Sequence, residues 1–504
     1  MPDDLAGNIS SMETDRMTPA TYRLILSCRL TRVALLAFCW AASTAQLSAA
    51  DFDVVIVGGR VIDPESKLDA VRNVGIRNGK IETLTTRLIK GRTTVDGRGL
   101  LVAPGFIDLH EHGQIPENYR MQAMDGVTSS LELEAGAPDI GAWYAEREGR
   151  AVVNYGASIG HIRVRMKVMN DPGDFLPSGT AIHKVASDDE LKQIAQRLED
   201  GLKQGAPAVG FSTAYTPGAT AWETLEVFRI AAKYNASVHV HLRSARDKSL
   251  ESINEVLGPA ALTGAPLHIV HLNSSGSEYT PQLLSLVAQA QARGLDVTTE
   301  CYPYTAGMTK IASAIFNEGW QENLAISYKD LLWPDTGERL TAESFARYRK
   351  TNGWVITFTN TEEMVKAAVV SPLTMIASDG IPYVDGRSHP RSAGTYARIL
   401  GHYVREEKAL SLMEALRKMS LAPAQRLEMR APAMRNKGRI RVGADADIVV
   451  FDPNRVIDRA TYQQPGLHSE GIQHVLVNGV PVVKDGNLLE GVTPGRGVRA
   501  PIVR

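Results

Sequence analysis

Several apolar runs in this chain end in residues that hold divalent cations. GFIDLHEHG (105–113) closes on His110 and His112, two apart and so on one face of an extended strand. SVHVHLR (237–243) places His239 and His241 on one face, with Arg243 just beyond. HIVHLN (268–273) offers His271 at its end, while His268 at its start is expected on the opposite face. MIASDG (375–380) ends in Asp379, followed by a glycine that lets the chain turn. Imidazole and carboxylate together suit zinc or a similar ion. Two such ions would lie roughly 3.5–4 Å apart and need a shared anionic ligand.

The stretch DGVTSSLELEAGA (125–137) supplies candidates for that ligand. Leu131, Glu132, Leu133 and Glu134 alternate as in a strand, yet the flanking text reads as buried. A buried carboxylate needs a partner or a metal. Glu134, nearest the strand end, is assigned as the shared ligand, and Glu132 as its support one layer down. The competing structural reading bonds both to Ser, Arg or water. A carbamylated lysine has no candidate in the fourth-strand segment APAVGFSTAY.

These residues need a scaffold that gathers strand ends. At 504 residues the chain is too long for one ordinary core. Residues 51–103 carry short strand-like runs with an Asn78-Gly79 hairpin signal. The same grammar returns in 431–504, so the two ends are expected to build one small β domain. Between them, 104–430 alternates strand-like and helix-like segments about eight times, which fits a (β/α)8 barrel. Ser187 and Glu190 form a capping box ahead of one helix. The interval 305–355, with Trp320, Trp333 and Trp354, breaks the rhythm and is expected to be an insertion at the barrel mouth, a candidate lid.

A net charge of −1 gives no argument for nucleic acid as a partner. Arg29 and Arg32 precede an apolar run at 33–45 and small residues up to Ala50, a secretory pattern. Export to a bacterial periplasm or beyond is expected, with no stable membrane span after processing. Of three cysteines only Cys301 lies beyond that segment, which leaves no intrachain disulfide. A serine hydrolase is not expected for want of a nucleophile elbow, nor a nucleotide site for want of a phosphate loop.

The ordered motifs GFIDLHEH, GFSTAYTPGA, HLR, HIVHLNSSG, CYPYTAG, ASDG, HPRSAGTYARILGHYVRE and GRIRVGADADIVVFDP resemble the amidohydrolase superfamily, within it the N-acyl-D-amino-acid deacylase branch. The resemblance implies metal ligands at His110, His112, His241, His271 and Asp379, with Asp379 also the general base and acid. It implies Arg391 and Tyr304 as holders of a substrate carboxylate, with His161 and Arg243 as further substrate-side candidates. It implies one or two Zn²⁺ ions, Mn²⁺ or Co²⁺ being alternatives, and a small N-acyl amino acid as the partner; self-association is left open. The expected reaction is amide hydrolysis by metal-activated water. A dipeptidase or cyclic-amide hydrolase with the same metals is the near alternative, and a binding protein on a degenerate barrel the distant one. One departure stands out: the branch has a cysteine ligand after the second strand, and here that position is Ala135.

Overall fold

The computed structural model describes residues 52–503; the expected signal segment lies outside the described residues. Eight parallel strands form one sheet whose order follows the chain. They are β1 (Phe106–Asp108), β2 (Val127–Ala137), β3 (Asn154–Gly160), β4 (Ala208–Ser212), β5 (Ser237–His241), β6 (Leu267–Ile269), β7 (Val297–Cys301) and β8 (Thr374–Ile376). Among the described residues β1 and β8 are the two edges of this sheet and do not pair as strands. A bridge between Glu111 and Gly380, with the His112 amide donating to the Gly380 carbonyl, draws the two edges together. The result is a nearly closed (β/α)8-type barrel.

Helices cover the outside of this barrel. Asp188–Lys203 shows how the sequence sets one. Ser187 accepts from the Glu190 amide while Glu190 returns to the Ser187 amide, as the capping box requires. Ile194, Leu198 and Leu202 then bury one face at helical spacing.

The two chain ends share a second sheet of nine strands. The seam is Leu101–Pro104 paired antiparallel with Ile448–Phe451. Asn78-Gly79 and Asn478-Gly479 each make a tight turn with positive φ at both residues, the geometry that matches strand twist in two-residue hairpins. The turns abut: a Cβ built on Gly79 would lie 2.7 Å from the Asn478 carbonyl oxygen.

The segment that broke the rhythm forms a third sheet. Ala306–Lys310, Leu331–Trp333, Glu338–Arg339 and Trp354–Phe358 pair antiparallel, over their own core of Ile311, Phe316, Trp320 and Phe345. It lies between β7 and β8 in the chain and contributes to a cavity at the barrel mouth.

Candidate active site

Strand β1 stops at Asp108, and the next residues alternate sides. His110 and His112 turn toward the barrel interior, while Glu111 turns into a polar pocket between β1 and β8. Glu111 accepts from the Gly113 amide at 2.7 Å, Asn118 at 2.9 Å, Gln122 at 3.0 Å and Ser378 at 3.0 Å. Burial pushes its carboxyl well above the usual range.

On β2, Glu132 and Glu134 share the interior face. The β2–β3 register breaks between Glu132 and Ala137, a bulge that frees the strand end. Gly136 sits there at φ 64°, where a Cβ would lie 2.7 Å from the Gly160 backbone. Glu134 then splits its two oxygens. Oε2 lies 3.0 Å from His110 Nε2 and 3.3 Å from His112 Nε2, and Oε1 lies 3.0 Å from His241 Nδ1. His271 Nε2 is 3.0 Å from His241 Nδ1. Two clusters of donor atoms therefore exist, one of His110, His112 and Glu134, the other of Glu134, His241 and His271. Within each, the atoms lie within 4.8 Å of one another.

Asp379 borders both. Its Oδ1 is 3.4 Å from His110 Nε2 and 3.3 Å from His112 Nε2, and its Oδ2 is 3.0 Å from Arg391. Asp379 at φ 51° and His271 at φ 30° occupy the left-handed region. For residues with side chains that is strain, of a kind concentrated at functional sites.

The electrostatics fit a bound cation. Burial opposes the ionised form of Asp379, but Arg391 and His110 outweigh it and hold the carboxyl far below its ordinary range. Burial likewise opposes ionised Glu134, and His110, His112 and His241 outweigh it. Burial would keep His110 neutral, yet Asp379 and Glu300 raise it well above its ordinary value. Burial beside His241 pushes His271 down to about 3. Among the described residues, one guanidinium, Arg391, is ion-paired to any of Glu132, Glu134, Glu300 and Asp379. Four buried carboxylates around imidazole donors form an N/O set suited to divalent metal.

The imidazoles are oriented from behind. Glu132 lies 2.6 Å from His112 Nδ1 and also accepts from the Ala135 and Gly136 amides. Glu300, on β7, lies 2.6 Å from His110 Nδ1 and 3.0 Å from His268 Nε2. A carboxylate on Nδ1–H fixes the tautomer that turns the Nε2 lone pair toward the donor cluster. The strand reading of the chain did not single out Glu300; its signal was an acid at the end of DVTTEC. His268 also faces inward rather than away, because His271 lies past the end of β6 and strand alternation does not carry to it.

A cavity of about 380 Å³ opens above the donors, bordered by His112, Glu134, His241, His271, Asp379 and Arg243. Other expected residues lie elsewhere. Tyr304 does not border it; its ring stacks under Arg398 and meets His389 edge-on at 5.6 Å. Tyr302 does border it, with the Arg391 guanidinium 4.7 Å over its ring. His161 also lies off the cavity, 2.8 Å from Glu223, which pairs with Arg165. Arg243 borders it but is held by Glu255 and by two carbonyls. Tyr215, unnoticed in GFSTAY, lines the wall against His241, ring centres 5.0 Å apart.

A wall glycine of the cavity, Gly307, marks a cradle. A Cβ built there would lie 3.3 Å from the Tyr302 hydroxyl, 3.5 Å from Thr357 Oγ1 and 3.7 Å from Arg391 Nη1. The tyrosine hydroxyl and Arg391 Nε are buried with no hydrogen-bond partner, while Arg391 Nη1 lies 3.0 Å from Asp379 Oδ2. Buried polar groups of this kind call for a ligand or ordered water.

GASIG (156–160) has the GxSxG spacing, but Ser158 is buried inside β3 and not on a strand-to-helix elbow. Cys301 is buried with its thiol toward the Met375 carbonyl, away from the donor clusters.

Comparison with known proteins agrees with this geometry. The sequence pattern of the amidohydrolase family matches residues 93–483. An N-acyl-D-glutamate deacylase of Alcaligenes xylosoxydans xylosoxydans is 31% identical over 85% of this chain and 93% of its own length. A D-aminoacylase of the same organism is 28% identical over 87% of this chain and 96% of its own. The crystal structure of a Bordetella bronchiseptica N-acyl-D-glutamate deacylase, complexed with zinc and a phosphonate mimic of the tetrahedral intermediate, superposes with a TM-score of 0.77. That match is at 28% identity and covers 89% of this chain and 100% of that one.

Proposed function

The chain belongs to the amidohydrolase family, and from that premise we propose that it is a metal-dependent hydrolase of the amide bond of N-acyl-D-amino acids. The observation that carries this reading is a pair of His/Glu donor clusters sharing Glu134 beneath a cavity that Asp379 borders. His110, His112, Glu134, His241, His271 and Asp379 would hold zinc. A divalent ion there makes water a nucleophile near neutral pH and polarises a carbonyl.

The chain's own groups supply the rest. Arg391 Nη1, Tyr302 Oη and Thr357 Oγ1 receive the substrate carboxylate at Gly307, so the amide carbonyl faces the donor clusters. Arg suits that role through its planar fork. Asp379, kept ionised beside Arg391, takes a proton from the attacking water as the new C–O bond forms. It returns that proton to the departing amine nitrogen as the C–N bond breaks. The intact donor set counts against a degenerate binding protein, and the carboxylate cradle beside a free wall favours an open-chain acyl amino acid over a cyclic amide. Export rests on the residue pattern of 29–50. Among the described residues no helix is long and apolar enough to cross a membrane.

The test is hydrolysis of N-acetyl-D- and N-acetyl-L-amino acids by purified protein whose metal content is measured. A metal-free His110→Ala protein that retained full activity would refute the reading. Gly307→Ala, which fills the cradle with one tight contact of 3.3 Å to the Tyr302 hydroxyl and two ordinary ones, is expected to raise KM about tenfold or more without unfolding the chain.

A further inference from the structure

The relatives act on substrates of different character, since one is a deacylase of N-acyl-D-glutamate and another a D-aminoacylase. Overall identity, 31% against 28%, does not choose between them. The cavity wall does.

From the donor clusters outward, six large apolar side chains line the cavity. Phe175 meets the His112 ring edge-on at 5.2 Å and tilts against Trp354 at 5.7 Å. Leu176, Met308, Ile315 and Leu324 are the others. Phe175 and Leu176 come from the loop after β3, whereas the other four come from the inserted segment between β7 and β8. Two separate parts of the chain thus supply these side chains.

An acidic side chain in the cavity is best matched by a cation, because a desolvated carboxylate without a partner is costly and charge-assisted pairs are the strong ones. Among the described residues the one lysine or arginine bordering the cavity is Arg243. Glu255 takes it through two nitrogens, and the Pro217 and Ala219 carbonyls take the rest. Two cations stand behind the apolar wall. Lys310 lies over the Trp354 ring but is bonded to Asp174 and the Asn352 carbonyl. Arg163 lies over Phe175 and donates to the Asp174 and Phe175 carbonyls. Arg391 is already given to Asp379 and the carboxylate cradle. Lys248 and Arg349 reach the rim only through Asn323 and Asn317, so among the described residues no cation bordering the cavity is free for a second carboxylate.

Resting on the proposed deacylase reading, we infer that the substrate is an N-acyl-D-amino acid with an apolar, uncharged side chain, and that N-acyl-D-glutamate and N-acyl-D-aspartate are excluded. Phe175, Leu176, Met308, Ile315, Leu324 and Trp354 set that preference.

The experiment is a kinetic panel on zinc-loaded protein with N-acetyl-D-leucine, -D-phenylalanine, -D-glutamate and -D-aspartate, paired with calorimetric binding of the same four compounds. The expected kcat/KM for the leucine and phenylalanine compounds exceeds that for the acidic pair by at least about tenfold. Leu324→Arg is expected to narrow that ratio, and Trp354→Ala to lower kcat/KM for the phenylalanine compound alone. Equal or better turnover of the acidic pair overturns the inference and leaves the deacylase reading standing. Binding of the apolar pair without turnover of any compound defeats the deacylase reading and keeps the apolar preference. Binding of none defeats both.

Discussion

Two sets of buried carboxylates sit within a few residues of each other and have opposite surroundings. Glu132, Glu134, Glu300 and Asp379 meet imidazoles, with Arg391 behind Asp379. Glu111, one residue from both His110 and His112, meets amide and hydroxyl donors alone. The first set concentrates negative charge around nitrogen lone pairs and so favours a cation. The second neutralises a carboxyl where the barrel edges meet, as a fastening between β1 and the turn after β8. Residue type does not distinguish them; the partners do. Strand geometry assigns the partners, since successive side chains beyond β1 point to opposite sides.

Substitutions should separate the two sets. The largest effect is expected at Asp379→Asn, which keeps the size and removes the base. kcat should fall by about 10²–10⁴-fold with the thermal midpoint unchanged or raised. Next, Glu111→Leu strands four donors and should cost about 3–5 kcal/mol of unfolding free energy in urea titrations. If that variant instead kept its stability but lost zinc, the division drawn between the two sets would be wrong. Glu132→Gln weakens the hold on His112 and should reduce zinc affinity about 10–100-fold in competition with a chelator, while the fold persists.

A final effect concerns a buried charge of the other sign. Lys418 bonds Thr374 and the Ser371 carbonyl at the closed end of the barrel, and burial pushes it down to about 8. Its folded value lies below its unfolded one, so the unfolded chain binds more protons between about pH 8 and 10.5. Stability should therefore rise with pH across that window. Lys418→Met should flatten the rise by about 2–3 kcal/mol, read as the difference in unfolding free energy from urea titrations at the two ends of the window.

Much of the scaffold was legible because each clue was local. The Asn78-Gly79 and Asn478-Gly479 turns, the Ser187/Glu190 cap and the alternation of strand and helix patterns depend on near neighbours. The His pairs and Asp379 were legible as strand-end residues for the same reason. Glu300 was not, since its role depends on His110, 190 residues away. Tyr302 and Tyr304 flank Pro303 past the end of β7, where strand alternation no longer says which ring faces the cavity. The third sheet escaped because its strands of two to five residues carry little period to read.

The seam between Leu101–Pro104 and Ile448–Phe451 has a consequence for how the chain is made. Strands Phe52–Asp63 and Leu68–Arg77 are synthesised early and can pair as a hairpin at once. Their shared sheet cannot be completed until more than three hundred further residues have emerged and the barrel has brought the tail back. Closing so long a loop costs entropy that the barrel's own packing must first offset. The early strands thus spend synthesis with an open edge, which is a hazard for pairing with other chains. The ladder that finally covers it acts as a completion check: a protein whose barrel failed to form would keep that edge exposed.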